Sequence, residues 1–323
     1  MQATIEVAGR PLSRSFRVSF MTTEVVDVVV LRLTGPDGAE LGLGEVSADA
    51  GHGQDSAVYA EQASALAARL CAEPPADPAE LDAVLRSADA DSAARMLVEM
   101  AFLDQLARQA GMPVWRLLGL PEPGLVRLMT TVPIGEPVPA TTGPLKVKLG
   151  GESDESLLRG LVGAPGQLIL DVNGGWTEAD WDRLRELVCP LRPAVLEDPV
   201  ADLELLPRIR ADLPGTALVL DEPVHDEASI GVAARVAGGA NVKLMRVGGL
   251  AAARRGLDTL AAAGATRMLG CFLEPPRAIA YAAQLAGECE WTDLDGHFWL
   301  TDDPTVTEYR LDSSRPGIPR IAP

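Results

Sequence analysis

The chain opens with a period of two. In SFRVSF and in EVVDVVVLRLTGPDGAELGLGEVS apolar and polar residues alternate around the turn sequence GPDGAE, which predicts an antiparallel β-meander over residues 1 to about 50. From Asp55 to about Leu118 the pattern becomes helical. The alanine-rich stretches SAVYAEQASALAARLCA and SAARMLVEMAFLDQLARQAG predict long helices, the last stopped by Gly111 and Pro113, and a boundary follows near Pro121 to Gly124. Beyond it short apolar runs, VRLMTTVPI, PLKVKL, QLILDV, AVLED, ALVLDE, NVKLM, TRMLGCF and EWTDLD, alternate with helical stretches such as EADWDRLRELVCPL. Eight strands joined by parallel crossovers predict an α/β fold of the (β/α) barrel type. The tail from about Thr301 to Pro323 reads as irregular and is expected to pack back on the first domain.

Hydrophobic residues make up 47% of the 323, enough for a two-domain core. Lysine and arginine number 28 against 46 aspartates and glutamates, and the formal charge of -18 argues against nucleic acid or an anionic membrane as partner. No apolar run approaches the roughly 18 residues of a membrane span, and the first residues lack a signal-peptide core, so a cytoplasmic protein is expected. Cys71, Cys189, Cys271 and Cys289 show no C-x-x-C spacing and are expected to be reduced. His52, His225 and His297 show no ligand spacing and are expected at the surface or in loops.

The candidate chemistry lies at strand ends. In LKVKLGG, Lys146 and Lys148 occupy alternate positions and point to one face, where two ammonium groups need compensation. LILDVN ends with Asp171, AVLEDP with Glu197 and LVLDEP with Asp221, and NVKLM carries Lys243, each one βα unit after the last. In a barrel these residues share the catalytic mouth. Three converging carboxylates repel unless a hard cation joins them, and an all-oxygen set with room for water and substrate favours Mg²⁺. Asp171, Glu197 and Asp221 are therefore the expected ligands. Asn173, Asp198 and Glu222 lie one or two positions on, placed to orient them. Lys243 faces the lysine pair across the mouth. That arrangement suits removing a proton from one face of a carbon and returning it to the other.

Together these residues resemble the enolase superfamily, and within it the muconate-lactonizing-enzyme-like subgroup. GLGEVS, AFLDQLARQAGMPVWRLLG, LDVNGGW, LEDPV, LDEPV and VKLMRVGGL all look like their family counterparts. The resemblance implies an α+β capping domain over residues 1–120, a (β/α)7β modified TIM barrel over 121–300, and a 301–323 segment that completes the capping domain. It also implies a homo-oligomer. Asp293 and Asp295 in EWTDLDGHFWL are similar to the D-x-D of dipeptide epimerases, which holds the free α-ammonium of the substrate's first residue. MLGCFLE, with Cys271 and Glu274, resembles the epimerase version of its strand.

The implied reaction is Mg²⁺-dependent epimerisation at the α-carbon of a dipeptide's C-terminal residue, by 1,1-proton transfer through a metal-stabilised enediolate. Lys148 and Lys243 serve as base and acid, with Lys146 as an electrostatic helper. Specificity is implied for loops near Ser15–Thr22 and Asp49–Gln54. Where epimerases acting on Ala-Glu have an arginine, Met21 stands, so an apolar or uncharged second residue is expected, although Arg14 and Arg17 lie nearby. An o-succinylbenzoate synthase or an N-succinylamino acid racemase would share the scaffold, and a non-catalytic barrel would share the fold. The paired aspartates disfavour the first two, and the intact ligands and lysines disfavour the third.

Overall fold

Strands β1 (Gln2–Arg17), β2 (Thr22–Thr34) and β3 (Glu40–Ala48) form an antiparallel sheet in that order. The computed structural model describes residues 1–140, 143–300 and 308–322. Helices α1 (Ser56–Ala72), α2 (Pro78–Arg86) and α3 (Ser92–Gln109) follow, then the single turn α4 (Val114–Leu117). Asp55, Asp77 and Asp91 start the three longer helices, each side chain accepting from first-turn N–H groups that have no partner inside the helix.

Helix α3 is buried on nearly every side, which its apolar composition permits. It lies directly on β3 because Gly42 and Gly44 leave space there. A Cβ on Gly42 would stand 2.2 Å from Ala101 O, and one on Gly44 2.3 Å from Leu97 O. Two carboxylates of α3 join it to the rest of the chain. Glu99 accepts from the N–H groups of Leu250 (2.5 Å) and Ala251 (3.1 Å) and from Tyr281 Oη (2.7 Å). Asp104 accepts from Leu43 N (3.1 Å), Ile318 N (2.8 Å) and Arg277 (2.5 Å). Both carboxylates are buried, and each satisfies backbone donors that would otherwise be stranded.

The two-residue strand β4 (Val126–Arg127) precedes eight barrel strands, β5 (Thr130–Val132), β6 (Leu145–Lys148), β7 (Leu168–Asp171), β8 (Val195–Glu197), β9 (Ala217–Val219), β10 (Gly239–Lys243), β11 (Thr266–Gly270) and β12 (Trp291–Asp293). They pair in parallel as β5-β6-β7-β8-β9 and β10-β11-β12, and a Leu220↔Ala240 bridge joins the two sets. Asp295, just past β12, accepts from Thr131 N of β5 at 3.2 Å and so closes the ring. Outside lie α5 (Asp154–Gly160), α6 (Glu178–Leu191), α7 (Leu206–Asp212), α8 (Glu227–Val236), α9 (Leu244–Val247), α10 (Leu250–Ala262) and α11 (Pro276–Ala282). Reciprocal caps, Thr177 with Asp180 and Asp226 with Ser229, start α6 and α8. Met129, Ile169, Val195, Val219 and Met268 form a separate apolar cluster that fills the barrel interior beneath the polar mouth.

The structure corrects three expectations. VRLMTTVPI is not one strand, since β4 leaves the barrel to pair with β13 (Glu308–Asp312) while β5 stays in it. The tail is not irregular where it is described: β13 and β14 (Arg320–Ala322) form an antiparallel pair, and Gly317 exchanges hydrogen bonds with Met112 and Val114 beside α4. Residues 301–307 of that segment lie outside the described residues. His297 is buried rather than at the surface, against Phe298 and Tyr309, and burial pushes its pKa down to about 4. Among the described residues no helix is long and apolar enough to cross a membrane.

Gly44→Ala is expected to cost roughly 2 kcal/mol of folding stability, because neither backbone can retreat from the added methyl. Gly124→Ala, where a Cβ would meet nothing within 4 Å, is expected to change stability by less than about 0.5 kcal/mol. Urea unfolding of both variants measures the difference.

Candidate active site

Parallel pairing sets the height of each polar residue. Lys148 lies opposite Asp171 and Asp171 opposite Glu197, while Lys243 lies opposite Gly270 and Gly270 opposite Asp293. Asp221 comes two residues after β9, directly beyond the Leu220↔Ala240 bridge. All of these stand at the C-terminal ends of their strands, and Lys146 sits one pleat deeper than Lys148. Asp171, Glu197 and Asp221 are fully buried, Lys146 is 1% exposed, and Lys148 and Lys243 are 7% exposed.

Such buried charges persist only as pairs. Lys146 Nζ lies 2.5 Å from Asp293, 2.9 Å from Glu197 and 3.0 Å from Asp171. Burial by itself would lower the pKa of this ammonium, but Asp171, Asp293 and Glu197 outweigh it and hold the value well above the usual lysine range. Lys148 Nζ donates to Asp171 at 2.5 Å and to Asn173 Oδ1 at 3.4 Å. Lys243 Nζ donates to Asp221 at 2.6 Å and stands 4.7 Å from the centre of the Phe272 ring. Burial opposes the charge of Lys243 as well, and Asp221 more than restores it. On the acidic side, burial pushes Glu197 up to about 7, with Asp171 adding to the rise. Asp171 and Asp221 stay low against burial, through Lys146 and Lys148 in the first case and Lys243 and Arg246 in the second.

The strand ends are held in tight turns. Asn173 and Asp198 have φ of 49° and 39°, a left-handed conformation uncommon outside glycine. Asp198 accepts from Asp221 N (3.1 Å) and Glu222 N (2.6 Å), and so clamps the turn that presents Asp221. Asn241 Nδ2 orients Glu197 through Oε1 at 2.8 Å, and Arg246 reaches both Asp221 and Glu222 at 3.2 Å. Carboxylate oxygens of Asp198, Asp221 and Glu222 come within 4.8 Å of one another. Glu197 Oε2 is buried and lies 2.9 Å from the Lys146 ammonium. An oxygen-only, acidic donor set suits a hard divalent cation.

Above these groups opens a cavity with about 580 Å³ of space, counting the open solvent at its mouth. Lys146, Lys148, Lys243, Asn173, Glu222, Cys271, Asp293 and Asp295 line it, so the structure brings these residues together. Thr131 Oγ1 donates to Asp293 at 3.4 Å, and Asp295 is pushed up to about 7 by burial and by Asp293. Cys271 gives its Sγ–H to Asp293 O at 3.2 Å. Six expected residues do not line the cavity: Asp171, Glu197, Asp198 and Asp221, which are buried, and Met21 and Glu274. Met21 packs against Gly51 in the capping loops, and Glu274 turns its carboxylate to Phe272 N at 2.9 Å. Their places are taken by Phe16, Val18, Phe272, Leu273 and Trp299, which form an apolar wall, and by His52.

His52 is held by Asp49 (Nδ1 to Oδ2, 3.3 Å) and meets the Phe20 and Phe272 rings edge-on. None of these carries a spacing signal in the chain. Phe16, Val18 and His52 nevertheless fall within the stretches near Ser15–Thr22 and Asp49–Gln54 to which the resemblance assigns specificity.

Residues 143–316 match the enolase C-terminal domain-like family, and residues 1–119 match the N-terminal domain of the mandelate racemase / muconate lactonizing enzyme family. A hydrophobic dipeptide epimerase of Flavobacteria bacterium (strain MS024-2A) is 31% identical over 237 residues, 65% of this chain and 66% of that protein's length. The L-Lys-D/L-Arg epimerase of Methylococcus capsulatus is 30% identical, with 97% of this chain and 96% of the relative covered. A dipeptide epimerase from Enterococcus faecalis V583, solved with Mg and L-Leu-L-Tyr, shares the fold with a TM-score of 0.85 at 23% identity, covering 100% of this chain and 99% of its own. Both domains of the chain are accounted for by these matches, and it belongs to the enolase superfamily, in the muconate-lactonizing-enzyme-like subgroup and closely related to the dipeptide epimerases.

Proposed function

We propose that the protein is a dipeptide epimerase that inverts the α-carbon of the C-terminal residue by two-lysine proton transfer. The observation that carries this reading is the pair of buried amines, Lys148 on β6 and Lys243 on β10, on opposite sides of one cavity whose far wall bears Asp293 and Asp295. Asp171, Glu197 and Asp221 would hold Mg²⁺, with Asn173, Asp198 and Glu222 orienting them. The cation, when bound, supplies charge stabilisation to the substrate carboxylate as the neighbouring carbon loses its proton.

Lys148 and Lys243 then divide the proton transfer, one taking the α-proton from one face and the other returning a proton to the opposite face. Each acts as base only when neutral; for Lys243 burial favours that form, while contact with Asp221 outweighs it and favours the ammonium. Lys146, held charged by three carboxylates, is suited to a fixed positive field and not to abstraction. Asp293 and Asp295 receive the α-ammonium of the first residue, an arrangement with no use for an N-succinyl group. The wall of Phe16, Val18, Leu273 and Trp299 favours an apolar second side chain, as does the 31% identical hydrophobic dipeptide epimerase. The same reading places the protein in the cytoplasm, with its cysteines free, as a homo-oligomer.

Proton NMR in D₂O with Mg²⁺ tests the reading. L-Ala-L-Leu and related dipeptides are expected to lose the C-terminal α-proton signal and to yield the L,D diastereomer. Exchange confined to N-succinylamino acids would replace it with a racemase. Lys148→Ala and Lys243→Ala are each expected to lower epimerisation by about 10³-fold or more, each variant retaining at most α-proton exchange from one enantiomer; full epimerisation by either would sink the two-base scheme. Chelation of divalent cations is expected to abolish turnover, and Mg²⁺ to restore it. Because Asp295 titrates near 7, KM is expected to rise several-fold as pH falls from 8 to 6, the acid becoming neutral and losing its hold on the ammonium. Asp295→Asn is expected to flatten that dependence, as seen in KM profiles over the same range.

A further inference from the structure

A second crevice adjoins the main cavity, and Thr131, Asp295 and Trp299 line both. Its remaining walls are Arg14, Met129, Thr130 and Phe298, and none of the three lysines borders it. The α-carbon that exchanges its proton must lie between Lys148 and Lys243, and the dipeptide's ammonium must reach Asp293 and Asp295. What continues past Asp295 into the crevice is therefore the side chain of the first residue. Among the described residues Arg14 is the one cationic residue on its walls. Its guanidinium lies 4.3 Å over the Trp299 ring, which keeps it aimed along the crevice. Among the described residues its anionic neighbour is Glu136, at a loose 4.0 Å from one nitrogen of the fork. Met129 and Phe298 supply apolar surface for methylene groups between backbone and charge.

We propose that this crevice is a subsite for an acidic side chain, so that the preferred substrates carry aspartate or glutamate first and an apolar residue second. Asp295 and Arg14 then read the two charges of that first residue, ammonium and side-chain carboxylate, from opposite ends. The proposal rests on the epimerase reading. Arg14 is partly open to water, with its side chain 45% exposed, so the gain is set by a screened, charge-assisted pair.

The test measures kcat/KM by proton NMR in D₂O with Mg²⁺ for L-Glu-L-Leu, L-Ala-L-Leu and L-Ala-L-Glu. L-Glu-L-Leu is expected to exceed L-Ala-L-Leu by about fivefold or more, a preference that weakens with added salt. Arg14→Gln is expected to bring that ratio near one through KM, Arg14→Lys to keep part of it, and Arg10→Gln, an exposed change on the same strand, to leave it unaltered. A ratio unaffected by Arg14→Gln would overturn the subsite. So would a loss confined to L-Ala-L-Glu, which would put Arg14 against the second residue. Turnover of L-Ala-L-Leu without any preference would remove the subsite alone, whereas inactivity on all three dipeptides would remove the epimerase reading and the subsite with it.

Discussion

Three ammonium groups buried at one end of a barrel are the constraint around which this protein is arranged. Lys146, Lys148 and Lys243 cannot remain charged there without carboxylates in contact, and removing one partner of such a pair costs about 3–5 kcal/mol. Strand register supplies the partners. Lys148, Asp171 and Glu197 stand in one row, and Lys243 finds Asp221 in the turn just past β9 that Asp198 clamps. Lys146, deepest of the three, takes oxygens from Asp171, Glu197 and Asp293, and so links strands on both sides of the barrel seam.

The same economy connects the two domains. Helix α3 faces the meander through Gly42 and Gly44 and faces the barrel through Glu99 and Asp104. Glu99 caps the start of α10, and Asp104 ties β3, α11 and the C-terminal strand pair to one carboxylate. This placement brings the capping loops over the mouth, where Phe16, Val18, Asp49 and His52 complete the cavity wall. Polarity grades across that cavity, from lysines and acids on the barrel floor to aromatic and aliphatic side chains at the capping side.

Much of the site was legible in the chain because strands carry a strict period. Lys146 and Lys148 at alternate positions, and an acid at the end of each following apolar run, read directly as side chains at one height on neighbouring strands. The division into meander, helices and barrel followed from the change of period alone. Where no period operates, the reading failed. Met21 and Glu274 were expected at the cavity and turn away from it, because a loop side chain points wherever local packing directs it: Met21 against Gly51, Glu274 toward Phe272 N. Leu128 separates β4 from β5 within an unbroken apolar run, and no local signal shows that the tail would claim one half.

The chain by itself thus determined the order of elements, the level of each strand-end charge and the chemistry those charges can perform, since all three depend on short-range periodicity and residue type. Tertiary structure decided which carboxylate each lysine meets, which loop residues wall the cavity, and that Arg14 and Asp295 border one crevice from positions 14 and 295. Those facts depend on contacts between residues far apart in the chain, including the two buried carboxylates by which α3 joins the meander to the barrel, and no single segment encodes them.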